Sequence, residues 1–121
     1  MRTEPPSDFE AAVLSHIAAA SADAALRMQL AQVAITDRDW TVVGCYSTLT
    51  VPKRAPETLE PYGSRGPVDG PHFESSTLKH GGGTLLWFKD GRADCLEIYT
   101  YDDTFPQDHA DLVDFRLFAG A

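Results

Sequence analysis

Positive charge is scarce in this sequence of 121 residues, in which 10 Lys and Arg stand against 18 Asp and Glu, for a formal net charge of −8. Proteins that track a phosphate backbone or an anionic membrane surface need clustered Lys and Arg. We therefore expect neither nucleic acid nor a membrane as a partner. No apolar run approaches the roughly 20 residues of a membrane helix, and the first residues lack the apolar core of a signal peptide. The expected location is the cytoplasm.

Cysteine is also scarce. Cys45 and Cys95 stand far apart and form no C-x-x-C motif of a zinc or redox site. In a reducing cytoplasm we expect both to be free thiols in the core, although neighbouring strands would bring them close enough for a disulfide. Repeats, heptads and low-complexity tracts are absent as well, and the length fits a single domain over residues 1–121.

The N-terminal third predicts one or two helices. Residues 1–6 contain two prolines and are expected to be disordered. Ser7 and Glu10 have the spacing of a capping box, and apolar residues recur at helical spacing behind them, so a helix is predicted from Asp8 to Ala20. The segment Ser21-Ala22-Asp23 can then cap a second short helix, whose end near Met28 is ambiguous because strand-like alternation begins there.

Two features follow in the middle of the chain. The triplet Asp37-Arg38-Asp39 predicts a turn, and the β-branched and aromatic run Trp40–Val51 predicts one long strand with a bulge at Gly44. Residues 52–71 hold five prolines and three glycines, so we expect an irregular surface excursion with at most a short edge strand. Long irregular segments often adjoin binding sites.

The C-terminal half predicts a β-hairpin around Asp90-Gly91, flanked by Thr84–Lys89 and Arg92–Tyr101. A two-residue loop would pair Leu86 with Cys95, and a three-residue loop would pair Leu85 with Cys95, so the register is open by one residue. Strand alternation puts Leu96 and Ile98 on one face. Cys95, Glu97, Tyr99 and Tyr101 lie on the other.

This hairpin resembles a known pattern. The runs Leu85–Arg92 and Leu96–Asp103, followed by Pro106, resemble the C-terminal signature of small, mostly uncharacterised bacterial α+β proteins, written LLxFxDGxxxxLEIYxYDxxxP. Some of those proteins are similar to immunity proteins of polymorphic toxin systems. The resemblance covers about a third of the chain and implies a fold rather than catalytic residues.

Catalytic and metal-binding motifs are weak. His72, Glu74 and His80 lie within nine residues, but without a further carboxylate or cysteine at ligand spacing a solvated strand face explains them better than a metal site. Gly81-Gly82-Gly83 precedes a strand rather than a helix and lacks a following Gly-Lys-Ser/Thr, so it predicts a flexible connection instead of a phosphate loop. We expect no metal and no cofactor. Whether the protein is an enzyme is left open.

Glu97 interrupts an otherwise apolar and aromatic strand face, where a buried carboxylate needs a partner. One interpretation is a small-molecule pocket lined by Trp87, Glu97, Tyr99 and Tyr101, with Trp40 or Trp87 as a wall. The alternative is a half-exposed face on which Glu97 pairs with Lys79 or Arg116.

Charge placement supplies a second candidate surface. Residues 90–121 contain eight acidic and two basic residues, and thus carry most of the net charge. Inhibitors of basic proteins use such acidic surfaces with aromatic anchors. The candidate partner-binding residues are Asp102, Asp103, Phe105 and Asp108.

We therefore predict an α+β domain, with one or two N-terminal helices packed on a mainly antiparallel, twisted sheet of about four to six strands. The favoured function is a non-enzymatic, immunity-like cytoplasmic binding protein for a basic protein partner. The alternative is a pocket protein or enzyme acting on a small molecule. A homodimer is also expected, because the aromatic side chains exceed what so small a core hides.

Overall fold

The computed structural model describes residues 2–58 and 67–119. Two helices, α1 (Asp8–Ala20) and α2 (Ala24–Leu30), precede the sheet. Its strands are β1 (Ala34–Thr41), β2 (Gly44–Thr50), β3 (Val68–Asp69), β4 (His72–Glu74), β5 (Gly82–Lys89), β6 (Arg92–Thr100) and β7 (Arg116–Phe118), with a 3₁₀ turn at His109–Asp111. The predicted α+β class is confirmed. Within the described residues the sheet has seven strands, whereas about four to six were predicted. Three of the seven, β3, β4 and β7, have only two or three residues each.

Helix α1 has the predicted bounds, and its capping box is formed. The Ser7 hydroxyl accepts a hydrogen bond from the Glu10 backbone N–H at 3.1 Å, and Glu10 Oε1 accepts one from the Ser7 N–H at 2.8 Å. Asp23 caps α2 by accepting from the backbone N–H groups of Ala25 and Leu26. No helix in the described part of the chain has the length and apolar character needed to cross a membrane.

The sheet is antiparallel with the strand order β1-β2-β6-β5-β4-β7, and β3 pairs with β5 beside β4. β3 is the short edge strand expected in the 52–71 excursion, of which residues 59–66 lie outside the described residues. At the other edge the Glu4 backbone pairs with Ile35, so the disorder expected for residues 1–6 does not extend to Glu4.

The prediction for β1 and β2 was wrong in its boundaries. Asp37-Arg38-Asp39 lies inside β1, and Val42 and Val43 form the turn that divides the predicted strand Trp40–Val51. A polar triplet is stable in this strand because Arg38 reaches a buried carboxylate, described below. The irregularity in pairing lies between Ile35 and Asp37 rather than at Gly44.

The predicted β5–β6 hairpin is present, and its loop is the two-residue one of the two alternatives considered from the sequence. Asp90 and Gly91 both have positive φ, 53° and 77°, which is the conformation of tight hairpin turns that favours Asp-Gly. Beyond the turn a bulge at Asp94 shifts the pairing by one residue, so Leu86 lies opposite Leu96 and Trp87 lies opposite Cys95. Both registers considered from the sequence omit this bulge and are corrected by it.

The two faces of the sheet have different environments. Side chains of β2, β5 and β6 on one face pack against α1, α2 and the C-terminal segment (residues 105–118) to form the core. The buried strand residues include Cys45, Leu49, Leu86, Leu96 and Ile98. Side chains on the other face are exposed or half-buried. We call this second surface the open face. Its residues are Asp37 and Asp39 on β1, Tyr46 and Thr48 on β2, Asp69 on β3, Leu85, Trp87 and Lys89 on β5, and Cys95, Glu97 and Tyr99 on β6.

Candidate functional site

A row of paired residues crosses the middle of the open face. Directly opposed residues in an antiparallel sheet point to the same side. From β1 to β3 the paired residues are Asp39, Tyr46, Glu97, Leu85 and Asp69. Carboxylates therefore alternate with aromatic or apolar side chains across five strands, and Glu97 lies at the centre.

Glu97 is half-buried, and its Oε1 accepts a hydrogen bond from Trp87 Nε1 at 3.0 Å. None of the ion pairs found among the described residues includes Glu97. Arg116, one of the cations considered as its partner, instead donates to Glu74 at 3.0 Å. The central carboxylate is thus oriented by a neutral donor and, within residues 2–58 and 67–119, has no cation paired with it.

Aromatic rings continue the open face toward β4 and β7. Tyr99 lies against Gly83 on β5, where a Cβ atom would meet the Tyr99 hydroxyl oxygen at 2.4 Å, so the glycine leaves the space that the phenol occupies. The Tyr99 and Tyr101 rings are in edge contact, with centroids 5.8 Å apart. The Tyr101 hydroxyl lies 2.6 Å from His72 Nδ1, and the His72 ring stacks on Phe118 at 6.2 Å.

Carboxylates contribute to the raised pKa values of two tyrosines on the open face. The charge of Glu97 is the main cause that raises the pKa of Tyr46, with smaller contributions from burial, Cys95 and Asp39. Burial, followed by Tyr101, Asp69 and Glu97, raises the pKa of Tyr99. The carboxylates at the two ends and at the centre of the row therefore oppose any further negative charge on this surface and favour a cation.

All four residues predicted to bind a ligand, Trp87, Glu97, Tyr99 and Tyr101, lie along the open face, where Trp87 contacts Glu97 and Tyr99 contacts Tyr101. Trp40, the other wall considered, lies on the opposite face beside His109, with ring centroids 4.8 Å apart. Three surface cavities of about 380, 510 and 460 Å³ are lined by other residues. The four residues therefore form an exposed surface rather than the lining of these cavities.

The four residues predicted to bind a partner have mixed positions. Phe105 is only 4% exposed and packs in the core, so the expectation that its ring offers contact area is corrected. Asp102 accepts from the His80 backbone N–H at 3.0 Å, and Asp108 caps the 3₁₀ turn by accepting from the Ala110 N–H at 2.9 Å. Asp103 is exposed. Two of the three carboxylates thus accept hydrogen bonds from backbone N–H groups of the chain itself.

His72, Glu74 and His80 do not converge. His72 faces Tyr101, Glu74 binds Arg116, and the His80 ring lies 2.7 Å from Asp102. Among the described residues no group of three or more His, Cys, Asp or Glu is placed to hold a metal ion. Gly82 and Gly83, expected in a flexible connection, belong to β5.

The two cysteines are free thiols on opposite faces of the sheet. Cys45 is buried on the helix side, as expected, whereas Cys95 is half-buried on the open face. Burial raises the pKa of each thiol to about 11. Both remain protonated near neutral pH, which makes them weak nucleophiles.

A buried polar cluster lies under the other face. Glu10 on α1 is 0% exposed, and its carboxylate accepts hydrogen bonds from Arg38 Nη2 at 2.6 Å, Arg38 Nε at 3.0 Å and the Ser47 hydroxyl. His109 is buried as well, with Nδ1 3.0 Å from the Ser7 hydroxyl oxygen and 3.6 Å from Glu10 Oε2. This cluster ties α1, β1, β2 and the C-terminal segment together, away from the open face.

The pKa values of Glu10 and His109 predict two stages of acid destabilisation. Burial acts to raise the pKa of Glu10, but hydrogen bonds from Arg38, Ser47 and Ser7 outweigh it and lower the pKa from 4.5 to about 2. Burial is the main cause that lowers the pKa of His109 below 6.5. Protonation of either group thus favours the unfolded chain, and stability falls first below pH 6.5 and again between pH 4.5 and 2.

Urea unfolding at pH 7, 5 and 3 measures both stages. We expect the free energy of unfolding to fall by about 2 kcal/mol between pH 5 and 3, which is the part of the Glu10 titration that this interval covers. In His109→Gln the free energy of unfolding should change little between pH 7 and 5, and its loss between pH 5 and 3 should equal that of the wild type. An unaltered slope between pH 7 and 5 in that variant would contradict the assignment to His109.

Sequence reasoning missed several residues of the open face. Tyr46, Asp39 and Asp69 join it through strand pairing between distant segments, for which the sequence carries no local signal. Tyr46 alternates with Cys45 and Ser47 along β2, and that alternation was the one available indication. No protein-family model, curated protein or solved structure matches the chain.

Proposed function

We propose that this protein is a non-enzymatic binding protein that holds a basic protein partner on the open face of its sheet. The observation that carries the proposal is the Glu97 carboxylate, which lies at the centre of an aromatic surface and is oriented by Trp87. None of the ion pairs found among the described residues uses the Glu97 carboxylate, so a cationic side chain of a partner can pair with it without displacing another cation. Tyr46, Trp87 and Tyr101 supply exposed aromatic area, the residue class that dominates binding energies at interfaces.

Charge supports a partner of opposite sign. The net charge is −8, and the central row contributes Asp39, Asp69 and Glu97 to the open face. Such a surface accelerates encounter with a cationic protein and repels anionic ones. The β5–β6 hairpin resembles that of small bacterial proteins, some of which are similar to immunity proteins, and this resemblance favours a basic toxin domain met in the cytoplasm as the class of partner. The protonated thiols of Cys45 and Cys95 are consistent with a role other than catalysis.

Titration with a short peptide of alternating Arg and Ser, followed by tryptophan fluorescence, tests the proposal. We expect binding at low ionic strength that weakens with salt, because the attraction lies at an exposed surface. Glu97→Gln should weaken it about tenfold, equivalent to about 1.4 kcal/mol.

Glu74→Gln is the matched control, because Glu74 is exposed near the end of the sheet and already pairs with Arg116. We expect less than a twofold change in that variant. Equal losses in the two variants, or no binding to the wild type, would show that the central carboxylate is not the site.

A second copy of the chain is the competing occupant, since a homodimer was expected from the aromatic content. Face-to-face pairing would bring Asp39, Asp69 and Glu97 of two copies together, and like charges oppose such contact. Sedimentation velocity at low salt distinguishes the two occupants. A stable dimer whose formation blocks peptide binding would assign the open face to self-association instead.

A further inference from the structure

We infer that Glu97, Trp87 and Tyr46 together form a site for an arginine side chain of the partner, and that the site selects arginine over lysine. The inference rests on the proposed function and names the group that the open face receives. Tyr46 lies directly opposite Glu97 on β2, and Trp87 binds the Glu97 carboxylate from β5. A carboxylate is thus set between two aromatic side chains that are 41% and 39% exposed.

The hydrogen bond from Trp87 determines what the carboxylate can still accept. The indole N–H occupies one acceptor position on Oε1 and restricts rotation of the carboxylate. The hydrogen bond found for Glu97 among the described residues uses Oε1, which leaves Oε2 and the second lone pair of Oε1 for other donors. A guanidinium has two parallel N–H groups that fit a carboxylate of fixed orientation, whereas an ammonium is a point charge with no such geometry.

The aromatic neighbours favour arginine for a second reason. A guanidinium is planar and weakly hydrated, and it stacks on the faces of Trp and Tyr while its edge binds a carboxylate. Lysine would lose a strongly held hydration shell on entering the half-buried space beside Glu97. The combination of one oriented carboxylate and two flanking rings therefore discriminates by shape as well as by charge.

Spacing across the sheet isolates this site from the other carboxylates. Asp39 and Asp69 each lie two strands from Glu97, which at about 4.8 Å per strand is about 10 Å. One guanidinium spans only a few ångströms and reaches Glu97 alone. The outer carboxylates then attract further cationic residues of the same partner without contacting the same arginine.

Two peptides of identical length, with alternating Arg and Ser or alternating Lys and Ser, test the inference by isothermal titration calorimetry at one ionic strength. This readout does not depend on the tryptophan that one of the variants removes. For the wild type we expect the arginine peptide to bind about tenfold more tightly. Trp87→Leu removes the N–H donor and the ring, and should reduce that ratio to about twofold or less. Phe118→Leu, which changes an exposed ring at the far end of the face, should leave the ratio unchanged.

The outcomes separate this inference from the proposed function. Equal affinity of the wild type for both peptides would overturn arginine selection while leaving a basic partner in place. Binding of neither peptide would overturn both. An arginine preference that persists in Glu97→Gln would show that the selective site lies elsewhere. Thermal melts of each variant confirm that the titrations report on folded protein.

Discussion

Replacement of Arg38 by alanine is expected to reduce the free energy of unfolding by about 3–5 kcal/mol, because it leaves a buried carboxylate without its cationic partner. Arg38 donates two of the hydrogen bonds that Glu10 accepts, and Glu10 has no exposed surface. The Ser47 hydroxyl and the Ser7 backbone N–H would remain as neutral donors. Without the guanidinium, burial raises the pKa of Glu10 toward and above its ordinary value, so acid unfolding should begin at higher pH.

Urea unfolding at pH 7 measures the effect of Arg38→Ala. Arg27→Ala is the matched control, since Arg27 is an exposed arginine whose Nη1 donates to the Ser21 carbonyl at 2.6 Å. We expect that control to change stability by less than about 1 kcal/mol. A loss below 1 kcal/mol in Arg38→Ala would mean that Glu10 is solvated or protonated in the native protein.

Removing both charges separates the cost of the stranded carboxylate from the worth of the pair. Glu10→Leu combined with Arg38→Met should recover most of the stability lost in Arg38→Ala, because apolar replacements of buried ion pairs are often neutral or stabilising. The capping box is lost with Glu10, and about 1 kcal/mol of destabilisation should remain. The ion pair is thus predicted to specify how α1 docks on β1 more than to stabilise the fold.

Local patterns predicted the elements whose causes lie nearby in the sequence. The capping box gave the bounds of α1, and Asp90-Gly91 gave the hairpin turn, because in both cases the interacting groups are within a few residues. Alternation along β6 likewise placed Glu97 and Tyr99 on the face opposite Leu96, so part of the candidate site was predictable.

The features that the sequence did not predict depend on contacts between residues that are far apart in the chain. Arg38 reads as part of a turn because its partner Glu10 precedes it by 28 residues, and nothing near Arg38 signals a buried carboxylate. Phe105 reads as a surface anchor because acidic residues surround it in the sequence, yet it packs in the core. The row from Asp39 to Asp69 exists only after four strand pairings are formed.

Phe9 links the helix layer to both the sheet and the C-terminal segment. It is 1% exposed, and its ring makes edge contacts with Phe73 of β4 at 4.9 Å and with Phe115 at 5.1 Å. His109 lies beside it at 5.7 Å. Phe9→Ala should therefore cost about 3–5 kcal/mol, because a cavity opens where three segments meet.

Two measurements distinguish this expectation from general loosening. Phe118→Ala removes a ring that is 45% exposed and should cost less than about 1 kcal/mol. Amide exchange in Phe9→Ala should accelerate most at Ser76, which donates to the Val113 carbonyl and thereby holds the C-terminal segment. Equal losses of stability in the two variants would show that the Phe9 ring does not stabilise the contact between the three segments. Phe9 lies on the side of the sheet opposite Glu97, so the Phe9→Ala variant should still bind the arginine peptide below the melting temperature of that variant. This result would separate the residues that stabilise the fold from those that bind the partner.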